Sequence, residues 1–262
     1  MSNLRHEEYV RLLDCMESKG IVEGDIIEIG CGRGEFMEMW GDLGDQRKQG
    51  FSLCGIEHSQ DLVELGLNNG LIIEQNYAEE NNTYFGKKFD AFVQFNFLEH
   101  QADPTDMLRN IWKNLKDKAV GLITVPSFEY ILDEGAYYEI MRDHISNFTQ
   151  ESLKYLVENT GFKVLESRLV NRDTIELIIE KTDTIEAQRR TSAYRIDVSS
   201  LKDNYKKLKA SISEHLKNLS DEGKTMAIWG ASHQAFTLVA TTELASAARY
   251  VIDSAKFKQG KY

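Results

Sequence analysis

The residues of this chain best placed to do chemistry are Gly30, Gly32 and Gly34, which close the run Asp25-Ile26-Ile27-Glu28-Ile29-Gly30-Cys31-Gly32-Arg33-Gly34-Glu35. Glycine at alternate positions lets a backbone turn sharply and bring its N–H groups against a ligand where any Cβ would intrude. The spacing is G-x-G-x-G, not the G-x-G-x-x-G of dinucleotide sites, because Glu35 stands where the last glycine of that pattern belongs. A glutamate in the first helical turn repels a pyrophosphate at the positive helix end. It is compatible with a ligand that has no phosphate, and Glu28, on the strand before the turn, offers a carboxylate to a cationic one. A second carboxylate, Glu57, ends the run Phe51–Glu57, 23 residues after Gly34. An acidic side chain there is suited to accept two hydrogen bonds from a ribose diol. The competing readings are a structural loop or a different nucleotide for the glycines, and a solvated strand end for Glu57.

Histidine has the pKa range for proton transfer near neutrality. Of the six histidines, His100 and His144 lie on segments expected to border the cleft at the carboxyl ends of the strands, where ligands bind in such sheets. Each is read as a base or acceptor contact, against packing at a helix start for His100 and a structural hydrogen bond for His144. His233 stands at a helix N-terminus, suited to an anion on a substrate or simply to capping. Tyr137 and Tyr138, on a loop-rich insertion, are read as substrate-pocket lining, against core packing.

Positioning these residues requires strands and helices in alternation. The pattern predicts strands at 25–29, 51–57, 71–75, 89–95 and 119–125 and helices at 34–40, 60–68 and 104–116. Such alternation specifies an α/β fold with a parallel sheet covered on both faces. Leu4–Ser18 carries apolar residues at helical spacing and is expected to cover the sheet edge. Thr149 reads as an N-cap and Gly161 as a stop around a helix at 150–160. Phe162–Val170 and Thr174–Lys181 read as a β-hairpin turning at Asn171-Arg172-Asp173. From Asp183 to Gly223 the pattern is helical and charged. Thr225–Ala231 and Ala247–Asp253 then begin another strand–turn–helix unit. The expected division is residues 1–182 and 183–262, the second being a helical connector and a partial α/β domain.

The composition, 42% hydrophobic and 28% charged, is that of a globular protein, with a formal net charge of −11. That balance argues against a nucleic-acid partner, since phosphate backbones need a basic surface. No apolar run approaches the ~20 residues of a membrane span, and the N-terminus is too polar for a signal peptide. Cys15, Cys31 and Cys54 form no C-x-x-C, which argues against a disulfide framework or zinc site and for a reducing, cytoplasmic setting.

The strand–glycine turn with Glu28, followed by Glu57, resembles the first motifs of class I S-adenosylmethionine (SAM)-dependent methyltransferases, whose cofactor is a sulfonium without phosphates. Two later segments resemble the sugar C-methyltransferases in particular. Gln94-Phe95-Asn96-Phe97-Leu98-Glu99-His100 is similar to that family's Asn-x-Leu-x-His segment after the fourth strand. Ile228-Trp229-Gly230-Ala231, with Tyr250-Val251-Ile252-Asp253 and Lys258-Gln259-Gly260, is similar to its C-terminal domain. The resemblance implies a doubly wound, seven-stranded Rossmann-like sheet ending in the hairpin, plus a small C-terminal α/β unit. It implies SAM as cofactor, held by Glu28, Gly30, Gly32, Gly34, Glu57, Asn76 and Gln94. The implied acceptor is a small molecule, a nucleotide-linked sugar or polysaccharide precursor methylated at carbon, in contact with Asn96, Tyr137, Tyr138 and His233.

The departures bear on the acceptor. That family's cysteine-rich zinc module has no counterpart here, and its Tyr-His-Glu-His motif reads Met141-Arg142-Asp143-His144. Its His-Gly-Gly-Ser hairpin segment reads Asn171-Arg172-Asp173-Thr174, and the chain stops at Tyr262 where the family continues. Methylation at oxygen or nitrogen, or SAM binding without catalysis, therefore stay open at this point, with oligomeric state undetermined.

Overall fold

The computed structural model describes residues 3–42, 44–79, 81–185 and 195–260. Two compact units emerge: Met1–Ser127 with Ile145–Thr191, and Phe128–His144 with Ser192–Tyr262. A single cut at 182/183 does not anticipate that Phe128–His144 leaves the first unit and groups with the second.

In chain order the first unit contains α1 (Asn3–Ser18), β1 (Gly24–Ile29), α2 (Glu35–Asp42), β2 (Phe51–Glu57), α3 (Gln60–Asn68), β3 (Ile73–Gln75), β4 (Phe89–Phe95), α4 (Pro104–Lys113) and β5 (Leu115–Pro126). The chain then passes through α5 (Phe128–Asp133) in the second unit and returns with α6 (Gln150–Glu158), β6 (Phe162–Val170) and β7 (Thr174–Lys181). The seven strands form one sheet in the order β3-β2-β1-β4-β5-β7-β6. All neighbours are parallel except β7, which is antiparallel to both β5 and β6. This is the expected doubly wound seven-stranded sheet with a terminal hairpin.

Period-two alternation sends successive side chains to opposite faces, so both faces of the buried strands are apolar. Ile27, Ile29, Phe92, Ile123, Leu177 and Ile179 point to one side, where Met107, Leu108 and Ile111 of α4 and Leu153 and Val157 of α6 cover them. Ile26, Ala91, Val93, Val120, Leu122 and Ile178 point to the other, under Tyr9, Leu12, Leu13 and Met16 of α1 and Phe36 and Trp40 of α2. Thus α1 covers the middle of a face, a correction to the expected edge. The apolar residues of α1 supply a stripe that only a full sheet face can bury. The sheet is close-packed at Gly121, where an added Cβ would meet the Phe92 ring at 2.1 Å.

Helix starts follow local chemistry. Asp103 caps α4 by accepting from the Thr105 and Asp106 amides, with Pro104 in the first turn. Thr149 and Ser152 form a reciprocal capping box on α6. Boundaries differ from expectation most between α4 and β5: α4 ends at Lys113, not 116, and β5 begins at Leu115, not 119, because buried Leu115 already pairs with Phe89. The hairpin turns at 171–173 with Asn171 and Arg172 at φ +48° and +71°.

The second unit continues with α7 (Ser199–Asp221), β8 (Met226–Trp229), α8 (His233–Thr241), α9 (Leu244–Ala247) and β9 (Ala248–Ile252). Residues 186–194 of the helical stretch expected from 183 lie outside the described residues. Strands β8 and β9 pair in parallel. Tyr137 packs edge-on against Tyr205 of α7, ring centroids 5.0 Å apart, and Gly135 (φ +59°) allows Asn204 of α7 to approach where a Cβ would clash. Among the described residues no helix is long and apolar enough to cross a membrane.

Candidate functional site

The glycine loop leaves β1 with φ of +69°, +58° and +87° at Gly30, Gly32 and Gly34, a region costly for residues with a Cβ. The Gly30 and Cys31 amides both donate to the Ile56 carbonyl at 3.0 Å, and the Gly32 amide donates to Glu57 Oε2 at 3.0 Å. The two outer glycines are packed: a Cβ would lie 2.4 Å from the Phe97 ring at Gly30 and 2.2 Å from Leu71 at Gly34. At Gly32 it would meet nothing within 4 Å. The middle of the loop therefore faces open space, as a ligand cradle requires. Glu35 opens α2, exposed and paired with Arg33.

Glu57 is buried and already engaged. Beyond Gly32, its Oε1 accepts the Ser59 amide at 2.9 Å and lies 3.0 Å from His58 Nδ1. A carboxylate offers about four lone-pair sites, so acceptor capacity remains for a diol. Glu28 is buried at the end of β1, and its Oε2 has no hydrogen-bond partner among the described residues. Burial drives its pKa well above the carboxylate range, only partly opposed by the positive charge of Arg5. Gln94, at the end of β4, is completely buried with both side-chain polar atoms unpartnered among the described residues. Unsatisfied buried polar atoms beside a ligand cradle are what a ligand would be expected to satisfy. The carboxyl pair of Glu28 and Glu57 suits a cationic nucleoside, so these residues fit SAM.

Asn76 is arranged for loop structure: its carboxamide donates to Glu74 and to the Thr83 carbonyl, and accepts from the Tyr77 amide. Its own amide donates to the Glu57 carbonyl at 3.0 Å, tying β3 to the end of β2. Asn96 leaves β4 at φ +49°, with its Oδ1 accepting Thr124 Oγ1 at 3.0 Å and Arg5 Nη2 at 3.4 Å.

His100 ends a short 3-10 turn, Leu98–His100, beyond β4. Its neighbour Glu99 was not singled out by sequence reasoning. Glu99 is buried, its Oε2 has no partner among the described residues, and burial raises its pKa to about 7. The detectable signal was a carboxylate directly after the largely apolar run Phe95-Asn96-Phe97-Leu98. Also missed was the polar layer beneath α1. Arg11 makes a two-pronged contact to buried Glu176 at 2.8 and 2.7 Å. Arg5 donates to fully buried Glu8 at 2.7 Å and stacks 4.0 Å from the Phe95 ring centroid.

His144, Tyr137, Tyr138 and His233 belong to the second unit. The Tyr137 hydroxyl lies 3.1 Å from Thr241 Oγ1, and Tyr138 packs edge-on against Tyr137. His233 Nε2 lies 3.0 Å from Glu139 Oε2, whose other oxygen accepts from Gln234. Ser232, not His233, caps α8. In this unit Asp253 braces the Gly230–Ala231 turn by accepting the Ala231 amide at 2.8 Å.

Residues 2–167 match the family described as Methyltransferase domain, and residues 171–262 match the C-methyltransferase C-terminal domain. Among curated proteins, C-methyltransferase NovU of Streptomyces niveus is 23% identical over 273 residues, covering 96% of this chain and 63% of that protein. The chain thus spans under two thirds of this relative's length. The plantazolicin methyltransferase BpumL, solved with a desmethylPZN analog and SAH, superposes with a TM-score of 0.54 at 12% identity, covering 68% of this chain and 85% of that one. A SAM-dependent methyltransferase from Clostridium acetobutylicum superposes at 0.50 with 12% identity, covering 66% and 92%. At such identities the solved structures speak to the fold alone. With the sheet order, the glycine cradle and the family match over most of its length, this chain belongs to the SAM-dependent methyltransferases.

Proposed function

We propose that this methyltransferase methylates carbon in a small carbohydrate acceptor, a nucleotide-linked keto-sugar or a related polysaccharide precursor, in the cytoplasm. The observation that carries this reading is the C-methyltransferase C-terminal domain over residues 171–262, joined to a methyltransferase sheet. The likeness to C-methyltransferase NovU supports methylation at carbon.

When bound, SAM supplies an electrophilic methyl group on a sulfonium. Around it, the Gly30–Gly34 loop would cradle the nucleoside, Glu57 would accept from the ribose hydroxyls, Glu28 would face the positive charge, and Gln94 would complete the pocket, with Asn76 at its border bracing the end of β2 through its backbone amide. Carbon methylation requires a nucleophilic carbon, so a proton must leave the position next to a ketone. His100 and His144 are the candidates to accept that proton, with Asn96, Tyr137, Tyr138 and His233 contacting the acceptor.

The test is an acceptor screen with methyl-labelled SAM across nucleotide-linked keto-sugars, run in deuterated water. Carbon chemistry predicts deuterium exchange beside the ketone, since enolate formation must precede transfer. Methyl transfer without exchange would move the assignment to oxygen or nitrogen. Replacing the working histidine by Asn should lower turnover by roughly 10²–10⁴ with SAM affinity retained. Wild-type turnover in both variants would remove the histidines from the mechanism.

A further inference from the structure

In the order β3-β2-β1-β4-β5-β7-β6 the connections reverse direction between β1 and β4. Ligands of open α/β sheets settle in the crevice outside the carboxyl ends of such a strand pair. The glycine loop occupies the β1 side. On the β4 side the first residue beyond the strand is Asn96, half-buried and at φ +49°. Besides glycine, asparagine and aspartate are the residues that visit that region most readily. The next residue, Phe97, lies where a Cβ on Gly30 would stand, which packs this turn against the glycine loop.

The Asn96 carboxamide is held from two sides. Thr124, completely buried on β5, donates its hydroxyl to Asn96 Oδ1 at 3.0 Å, and its carbonyl accepts the Asn96 backbone amide at 3.0 Å. Arg5 of α1 places Nη2 3.4 Å from the same Oδ1. Its Nη1 donates to fully buried Glu8 at 2.7 Å, and the guanidinium lies 4.0 Å from the Phe95 ring centroid. The guanidinium is thus anchored independently of Asn96. It can only donate, so the carboxamide atom that meets it must be the oxygen. Both contacts fall on Oδ1, and Nδ2, with two N–H donors, has no hydrogen-bond partner among the described residues.

We propose that Asn96 acts as a donor in the reaction, its Nδ2–H bonded to the acceptor oxygen next to the methylated carbon, and that Thr124 and Arg5 are the positioning residues that hold that donor in place. The inference rests on the carbon-methylation reading above. When the proton beside the ketone passes to the base, negative charge moves onto the ketone oxygen. The electron pair returns to carbon as the new C–C bond forms and the sulfonium C–S bond breaks, leaving a neutral thioether. A prepositioned N–H binds the charged oxygen more strongly than the ketone it came from. The site therefore selects acceptors with an oxygen that gains charge, which an amine acceptor lacks.

The experiment uses the whole chain and three measurements. These are methyl transfer from methyl-labelled SAM to uridine diphosphate- and thymidine diphosphate-linked keto-hexoses, solvent deuterium exchange beside the ketone with S-adenosylhomocysteine (SAH) bound, and SAH affinity by calorimetry. Asn96→Asp replaces the donor by an acceptor and should lower turnover and exchange by about 10²–10³-fold, with SAH affinity within about twofold of wild type. Thr124→Val keeps the shape but loses the hydroxyl, and should lower both rates about tenfold through kcat. Thr124→Ser keeps the hydroxyl and should restore them. Wild-type rates in Asn96→Asp, equal rates in Thr124→Val and Thr124→Ser, or SAH affinity falling as far as turnover would each overturn the proposal. Absence of transfer by the wild-type chain to either sugar removes the acceptor reading, and this inference with it. Transfer that survives in Asn96→Asp removes this inference alone.

Discussion

Glu57 Oε2 accepts the Gly32 amide at 3.0 Å, so a carboxylate at the end of β2 sets the middle of the loop that leaves β1. Its other oxygen accepts the Ser59 amide before α3. Replacing Glu57 by Gln leaves only one acceptor oxygen for these two donors. Hydrogen bonds to charged groups are worth about 1.5–3 kcal/mol each, so Glu57→Gln should lower the unfolding free energy by about 2 kcal/mol in urea titrations. Unaltered stability would mean that the Gly32 and Ser59 contacts contribute nothing.

The glycines should separate by what surrounds them. At Gly32 a Cβ enters open space, so Gly32→Ala carries only the left-handed backbone cost of about 1–2 kcal/mol. It should remain folded yet lose SAH affinity at least tenfold. Gly30→Ala adds a clash with the Phe97 ring and should unfold at clearly lower temperature than Gly32→Ala. Equal melting temperatures would contradict this ordering.

Glu99 makes a pH prediction. Its folded pKa, raised by burial to about 7 from an ordinary 4.5, means the folded state holds the proton more tightly. The stabilisation is therefore full below pH 4.5 and lost as pH rises through 7. Each pKa unit corresponds to about 1.4 kcal/mol, so the loss is about 3 kcal/mol. Glu99→Gln should remove that slope, so that the variant gains on the wild type between pH 5 and pH 8 in urea unfolding. Parallel pH profiles for the two proteins would refute a buried, protonatable Glu99.

Glu28 should trade stability for ligand binding. Its buried carboxyl has an unpartnered oxygen among the described residues and a pKa well above the usual range. Ionisation therefore opposes folding above the ordinary carboxylate pKa. Glu28→Gln should raise the melting temperature of the ligand-free protein at pH 7.5, with the gain shrinking toward pH 5. SAH affinity should fall at least tenfold. A lower melting temperature with intact affinity would make Glu28 purely structural.

Much of the sheet was legible because its signals are local. Apolar runs bounded by glycine, the Asp103 and Thr149 caps and the hairpin turn each act within a few residues, and the structure places strands and helices accordingly. The start of β5 was misjudged because Lys116 reads as the end of the preceding helix and Asp117 and Lys118 as the break before the strand. They are exposed strand residues held in place by pairing that begins at Leu115. The grouping of Phe128–His144 with the second unit was not legible either, since it depends on contacts such as Tyr137 with Tyr205, far apart in sequence.

The sequence alone determined the α/β class, the glycine loop and the two acidic strand ends, because strand period, positive φ and carboxylate chemistry belong to individual residues and their spacing. Only the tertiary structure decided the partners. It set Glu57 on the Gly32 amide, left Glu28, Gln94 and Glu99 buried with unpartnered polar atoms among the described residues, and laid Arg5 over Phe95. Burial and charge pairing arise when segments dozens of residues apart share one sheet, and no local pattern encodes that meeting.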